Sequence, residues 1–470
     1  MKKCICLLLA LVMLMMVGCA PVQAPPATEA PKAEAPAAEA PAAEPAKAEE
    51  PADAGIATEI TAPVSFDFWH AMTGENEAVL QEICDKFNAA NEGKMSVNLL
   101  FQGGYKDMFA KLEGAAKAGN MPTMSMIYCN RLTAYVMSDL VENLNPYIES
   151  DKVGFTEEEW NNIPAFLRDN GMYDGIHYSL PFNKATYLLF YNVDMFEKYG
   201  VTPPTTWDEL AAAAEALTVK DNGKDIIGLA LNQSVAVDGS LWVEQAGGHL
   251  YDAANDKITF NEAPGVEAYE FLTGMVKAGH AKICTEESYI TGPFGRGEVA
   301  MGITSMSNLP DIIATCAENG VNFATVVAPK GKAAAALFSG TDVTIFNTST
   351  PEQKLAAFEF LKFFYQAENQ FEWGTRSGYM PMNNAVLYGD EFAAYAEENN
   401  PAKLTSIAAF DYGYCDPKIL NGYAIHDNMS KALDKVLLEG ADIQTALNDA
   451  ADQAWKEILQ SRSSFQSMAG

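Results

Sequence analysis

From Val64 onward, short runs of hydrophobic period two trade places with runs of helical period, and that alternation decides the fold class. Val64-Ser65-Phe66-Asp67-Phe68-Trp69 carries apolar residues at every second position, the pattern of a half-buried strand. Val79, Leu80, Ile83 and Phe87 then share one face of a helix, which Asn91-Glu92-Gly93 stops. Met95 to Phe101 reads as a second strand, and Asp107 to Lys117 as a helix closed by Gly119. Strand, helix, strand, helix in that order predicts an α/β fold with parallel strand pairs. Downstream, Thr156 with Glu159 and Thr206 with Glu209 have capping-box spacing, in which hydroxyl and carboxylate satisfy the free N–H groups of a helix start. Trp207, next to the second of these, is read as structural. Thr350-Pro351 opens another helix, with Leu355, Phe358, Leu361 and Phe364 on one face and Gly374 as its stop. Ile443, Leu447 and Ala451 mark a last amphipathic helix. Gly292 to Gly297 lacks dinucleotide-binding spacing and reads as a loop. Asp252 to Phe260 lacks the glycine a calcium loop needs at its sixth position and reads as a hairpin turn.

The N-terminus is built differently. Lys2-Lys3 precedes an unbroken apolar run from Ile5 to Val17, too short for a membrane span of about 20 residues and suited to an export signal. The run ends in Met16-Val17-Gly18-Cys19, which resembles a bacterial lipobox. The expectation is a signal over 1–18, removed to leave a diacylated Cys19 as the mature N-terminus. Residues 20–56 are almost all Ala, Pro and Glu and have nothing to bury, so 19–56 is expected to be an unfolded tether.

Composition narrows the function. The 62 Asp and Glu outnumber the 31 Lys and Arg, a net charge of −31 with no basic run, which excludes a nucleic-acid partner. No G-x-S-x-G, H-E-x-x-H or P-loop occurs, and the five histidines stand singly. No metal and no cofactor are expected, and the chain is not expected to be an enzyme. The rival from another class is an exported glycosidase lipoprotein with two facing carboxylates. Of eight cysteines, Cys84, Cys129, Cys284, Cys316 and Cys415 lie beyond the signal and lipobox. They are widely spaced with no C-x-x-C, and are read mainly as small core residues; one or two disulfides remain open.

Seven segments in order carry a resemblance. They are Phe66-Asp-Phe-Trp-His70, Gln102-Gly-Gly-Tyr105, Leu180-Pro-Phe-Asn183, Tyr191 to Gly200, Thr205-Thr-Trp-Asp-Glu-Leu210, Val299-Ala-Met-Gly-Ile303 and Ser377-Gly-Tyr-Met-Pro381. Together they resemble the extracellular solute-binding proteins of carbohydrate ABC importers (family 1, maltose-binding type) from about Ala62 to Ile458. The resemblance implies an α/β, two-lobed periplasmic-binding-protein fold (type II), with three crossings and ligand in the cleft. Lobe one is expected over 57–181 and 339–378, lobe two over 184–336 and 381–470. The crossings are expected at Phe182-Asn183, Phe338-Ser339 and Tyr379-Met380. It implies a monomer that takes up a sugar or polyol, closes on it and delivers it to membrane permease subunits. The protein would be held by lipid to the outer face of the cell membrane, or sit in the periplasm.

Within that family the chain is most similar to glycerol-3-phosphate and glycerophosphodiester binders. The ligand tyrosines of that branch correspond to Tyr105 and Tyr379, and a glycine before a crossing to Gly340, beside Thr341 and Asp342. Trp242 stands where a stacking aromatic of lobe two is common. Trp69 and His70 end the first strand, the edge at which open α/β sheets bind ligands. Tyr412, Tyr414 and Tyr423 form an aromatic segment expected at the cleft rim. Three departures bear on the ligand. Ile127-Tyr128-Cys129 lacks the branch's acidic residue, Lys184-Ala185 replaces its serines, and its phosphate-binding arginine is expected near 415–428, yet no Arg occurs between Arg376 and Arg462. A phosphate needs positive charge or several donors, which leaves Lys184, Arg131 or Arg376 to supply it. The departures favour a neutral sugar or oligosaccharide, with glycerol-3-phosphate or a glycerophosphodiester as the alternative.

Overall fold

A computed structural model describes residues 55–468 except 222, 233–234 and 286–288. Cys19, the signal and most of the tether lie outside the described residues. The alternating start folds as expected. Strand Val64–His70, helix Gly74–Ala90, strand Met95–Phe101 and helix Tyr105–Ala118 follow one another, and the two strands pair in parallel. They belong to a five-stranded sheet in the order Met95–Phe101, Val64–His70, Met124–Ile127, Asp342–Ile345, Ser179–Pro181. Its first three strands are parallel and the last two antiparallel to their neighbours.

An eight-stranded mixed sheet forms a second centre around Ala185–Asn192. Val299–Ser305 flanks that strand on one side, with Lys224–Asn232 and Ala281–Cys284 beyond it. On the other side stand Phe323–Val327 and Ala336–Ser339, and the latter pairs with Gly413–Tyr414. One apolar core covers the first sheet and continues onto one face of the second, where Leu188, Phe190, Val299 and Phe338 belong to it; Leu189, Leu229, Ile303 and Leu337 on the opposite face belong to a separate core. The chain passes from the first sheet to the second between Pro181 and Ala185 and returns between Ser339 and Asp342. After Arg376 the passage is drawn out: helices Asn384–Leu387 and Asp390–Asn399 stay against helix Ala367–Arg376, and helix Ala402–Ala408 packs on Phe323–Val327.

Both capping boxes form, and Thr350 makes a third with Gln353. The turn expected over Asp252 to Phe260 joins the two-stranded hairpin Tyr251–Asp252 with Lys257–Ile258. Two expectations fail locally. The helix from Pro351 ends at Phe364, and Gly374 lies inside a second helix, Ala367–Arg376. A Cβ at Gly374 would meet Pro381 at 2.4 Å, so this glycine serves close packing and not termination. Residues Thr291–Gly295 form a short helix where a loop was expected. Cys84, Cys129, Cys316 and Cys415 are free thiols; Cys415 is half-buried and the other described cysteines are buried.

Candidate functional site

The two passages between the sheets run side by side and are fastened by adjacent side chains. Phe182 N–H and Asn183 N–H donate to Thr341 O at 3.2 and 3.3 Å. Asn183 Oδ1 accepts from both the Thr341 amide and its hydroxyl at 2.7 Å. Next to it, Lys184 Nζ meets Asp342 Oδ1 at 2.7 Å and donates to Gly340 O at 3.1 Å, with both charged side chains buried. Asp342 Oδ2 accepts from Ser179 Oγ at 2.6 Å and Cys129 Sγ at 3.2 Å. Burial opposes charge on Lys184, but the Asp342 carboxylate outweighs it and holds the ammonium above its ordinary value. Gly340 has φ +125°, and a Cβ there would lie 2.0 Å from Asn183 O, so no other residue lets the strands approach this closely.

Tyrosines gather against this knot. Tyr105 opens its helix behind Gly104, and its hydroxyl accepts from Asn183 Nδ2 at 2.9 Å. Its ring lies 5.3 Å from that of Tyr128, and its hydroxyl faces that of Tyr379. Tyr379 is set by an offset stack on buried Trp373, centroids 5.4 Å apart and planes at 12°. Trp373 packs in turn on Phe182 at 5.3 Å, so the first core positions both a passage residue and a site tyrosine. Tyr187 and Tyr289 are electrostatic neighbours of Tyr128. Burial, with neighbouring phenols adding to it, pushes Tyr128 and Tyr379 well above the ordinary tyrosine value, so these hydroxyls stay neutral. Burial does the same for the Cys129 thiol and pushes Cys415 up to about 12, so neither supplies a thiolate.

From the second sheet, Tyr414 Oη lies 3.0 Å from Ser240 Oγ, which donates to Asp416 Oδ1 at 3.2 Å. His426 Nε2 is 3.2 Å from Asp416 Oδ2. Burial alone would raise Asp416, but His426 and Ser240 hold its carboxyl below the usual range. Tyr423, one turn before His426, is exposed and lies over the Arg131 guanidinium at 5.4 Å; Phe109 covers that guanidinium at 4.7 Å.

The structure therefore brings together Tyr105, Tyr379, Gly340, Thr341, Asp342, Lys184 and Tyr414. It places Trp242, His70 and Trp69 apart from this group. Trp242 is fully buried in the second core, with Trp207 at 5.6 Å and Phe271 at 5.7 Å, and presents no face to a solute. His70 is buried, accepts the Met72 N–H through Nδ1 at 3.3 Å, and is lowered to about 4 by burial, so it is neutral. Trp69 is half-buried against the first core. Tyr412 and Tyr423 are exposed. Lys184 is tied into the passage, and Arg376 is held by Glu75, Glu82 and Glu372. Asn183, Tyr128, Tyr187, Ser240, Asp416 and His426 were not singled out from sequence, although Asn183 sits inside a quoted segment.

The family of bacterial extracellular solute-binding proteins matches residues 82–401. The chain belongs to that family. A solute-binding protein of this kind captures its solute, and the glycosidase reading is dropped. The chain is 24% identical over 426 residues to the sn-glycerol-3-phosphate-binding periplasmic protein UgpB of Rhizobium meliloti (strain 1021), covering 85% of this chain and 95% of that one. The UgpB of Salmonella typhimurium is 24% identical over 356 residues, covering 73% and 80%. Among solved structures, the GacH receptor of Streptomyces glaucescens, studied unliganded and with acarbose, superposes with a TM-score of 0.73 at 20% identity over 85% of this chain and 99% of that one. UgpB of Mycobacterium tuberculosis with glycerophosphocholine gives 0.72 at 20% identity over 85% and 99%. MalE of Bdellovibrio bacteriovorus with maltotriose gives 0.69 at 21% over 84% and 100%. This solute-binding protein has their two-lobed α/β fold. No described helix is long and apolar enough to cross a membrane.

Proposed function

We propose that this protein is the substrate-binding lipoprotein of an ABC importer, taking up a neutral sugar or oligosaccharide outside the cytoplasmic membrane and handing it intact to the permease. One observation carries the choice of ligand. Lys184, Arg131 and Arg376, the cations that a phosphate would need, already have carboxylate or aromatic partners, while neutral tyrosine hydroxyls converge beside them. Tyrosine rings stack on the C–H faces of a sugar, and hydroxyls and amides pair with its rim. Tyr105 and Tyr379 are the principal contacts, with Tyr414 from the second sheet, while Asn183 and Thr341 fasten the passages beneath them. Lobe one, which holds 57–181, 339–378 and also the helices Asn384–Leu387 and Asp390–Asn399 expected in lobe two, closes over the ligand against lobe two, which holds 184–336 and the chain from helix Ala402–Ala408 onward. Glycerol-3-phosphate is the second reading, favoured by the names of the UgpB relatives.

Thermal melting against neutral sugars and sn-glycerol-3-phosphate separates the two. A binder at 100 times its Kd stabilises by about 2.7 kcal/mol. Tyr105→Ala and Tyr379→Ala are expected to abolish the sugar-dependent shift. A response unchanged in both variants refutes the cleft assignment. A shift with sn-glycerol-3-phosphate alone, weakened by salt, selects the second reading. Diacylation at Cys19 is part of the proposal: lipid labelling of the expressed full chain is expected, and its loss in Cys19→Ala.

A further inference from the structure

The segment in which the glycerophosphate-type arginine was expected carries a carboxylate instead. Asp416 is about a quarter exposed, with a side-chain accessibility of 24%, whereas its partners Ser240 and His426 are buried at 0% and 4%. Each partner uses one acceptor site, on Oδ1 and Oδ2 respectively. A carboxylate has about four such sites, so lone pairs remain on the exposed side. Three neighbours place this carboxylate. Asp416 follows Tyr414, whose strand Gly413–Tyr414 pairs with the passage strand Ala336–Ser339. It is an electrostatic neighbour of Lys184 in the passage itself. Its holder His426 lies 6.3 Å from the ring of Tyr423, which reaches across to Arg131 beside Tyr128 and Phe109. The carboxylate thus stands beside the passage residue Lys184, two positions after Tyr414, on the second sheet's side of the passages. His426 and Ser240 keep it from rotating, so it is an acceptor already set in place.

We infer that Asp416, held by Ser240 and His426, is the specificity-determining residue of the second lobe, accepting hydrogen bonds from ligand hydroxyls and repelling phosphorylated ligands. The inference rests on the sugar-binding reading above. A sugar presents paired hydroxyl donors that two carboxylate oxygens can accept together, whereas a phosphate presents only acceptors and negative charge.

The test uses the purified full chain, with glucose, galactose, xylose, maltose, maltotriose and sn-glycerol-3-phosphate as probes in calorimetric titration. Whichever sugar binds the wild type is expected to bind Asp416→Asn at least tenfold more weakly, with the unliganded melt close to wild type. If that variant melts far lower, His426→Gln keeps the carboxylate but releases one of its holders, and the same sugar is expected to weaken. A sugar affinity unchanged in the variants overturns the role of Asp416 alone and leaves the sugar reading standing. Wild-type binding of sn-glycerol-3-phosphate in preference to every sugar, or binding of none of the sugars, overturns both.

Discussion

Replacing Lys184 by Met while leaving Asp342 in place puts the knot between the passages under the most direct strain. Both charges are withdrawn from water, 2.7 Å apart, with side-chain exposures of 2% and 0%. Removing one partner of such a pair leaves a buried charge uncompensated and costs about 3–5 kcal/mol. Ser179 Oγ and Cys129 Sγ still donate to the carboxylate, which puts the expected loss toward the lower end, about 3 kcal/mol. Lys184→Met with Asp342→Leu removes both charges and is expected to recover most of that loss, since an apolar pair of similar volume is often no worse than a buried ion pair. The assay is urea unfolding of the unliganded protein, comparing ΔG at a constant m-value. A Lys184→Met variant that loses less than about 1 kcal/mol, the range of an exposed pair, refutes the reasoning. If that variant also lost affinity for sn-glycerol-3-phosphate alone, Lys184 would be a ligand cation after all.

Three further outcomes follow from single residues. Lys403 is fully buried, donates to Ser377 O at 2.7 Å and Tyr379 O at 2.8 Å, and is lowered to about 7 by burial. Its unfolded value is near 10.5, so the unfolded chain holds the extra proton across that window. Stability contributed by this residue must therefore rise with pH, by about 1.4 kcal/mol per pH unit. The difference in unfolding free energy between wild type and Lys403→Met, measured from pH 7 to 9, is expected to grow with that slope; a flat difference contradicts it. Gly340→Ala forces a Cβ to 2.0 Å from Asn183 O at a positive φ, and is expected to lower stability by more than about 2 kcal/mol in urea unfolding. Trp242→Phe is expected to destabilise the unliganded protein by about 1–3 kcal/mol while leaving the order of sugar affinities unchanged; a changed order would put Trp242 in the site.

What was legible in the sequence was mostly local. Period two at Val64–Trp69 and the caps at Thr156, Thr206 and Thr350 act within a few residues, and the structure follows them. Gly374 was misread because a glycine that stops a helix and one that admits a neighbouring proline look alike until Pro381 is in place. Lys184 and Asp342 are 158 positions apart, so nothing near either residue distinguishes a tied lysine from one free to hold a ligand. Trp242 was offered as a stacking residue because position along the chain says where an aromatic lies, not which way its helix faces. Its burial depends on Trp207 and Phe271 arriving from two other helices. Tyr128 and Tyr187 carry no motif, and only the meeting of the two sheets makes them neighbours.

The central claim is that two lobes close on a neutral sugar at Tyr105 and Tyr379. Small-angle X-ray scattering during titration with a sugar that raises the melting temperature tests it most directly. The account predicts a radius of gyration that falls and saturates at one sugar per chain, with no fall for Tyr105→Ala or Tyr379→Ala at the same sugar concentration. Saturable binding with an unchanged radius would contradict it.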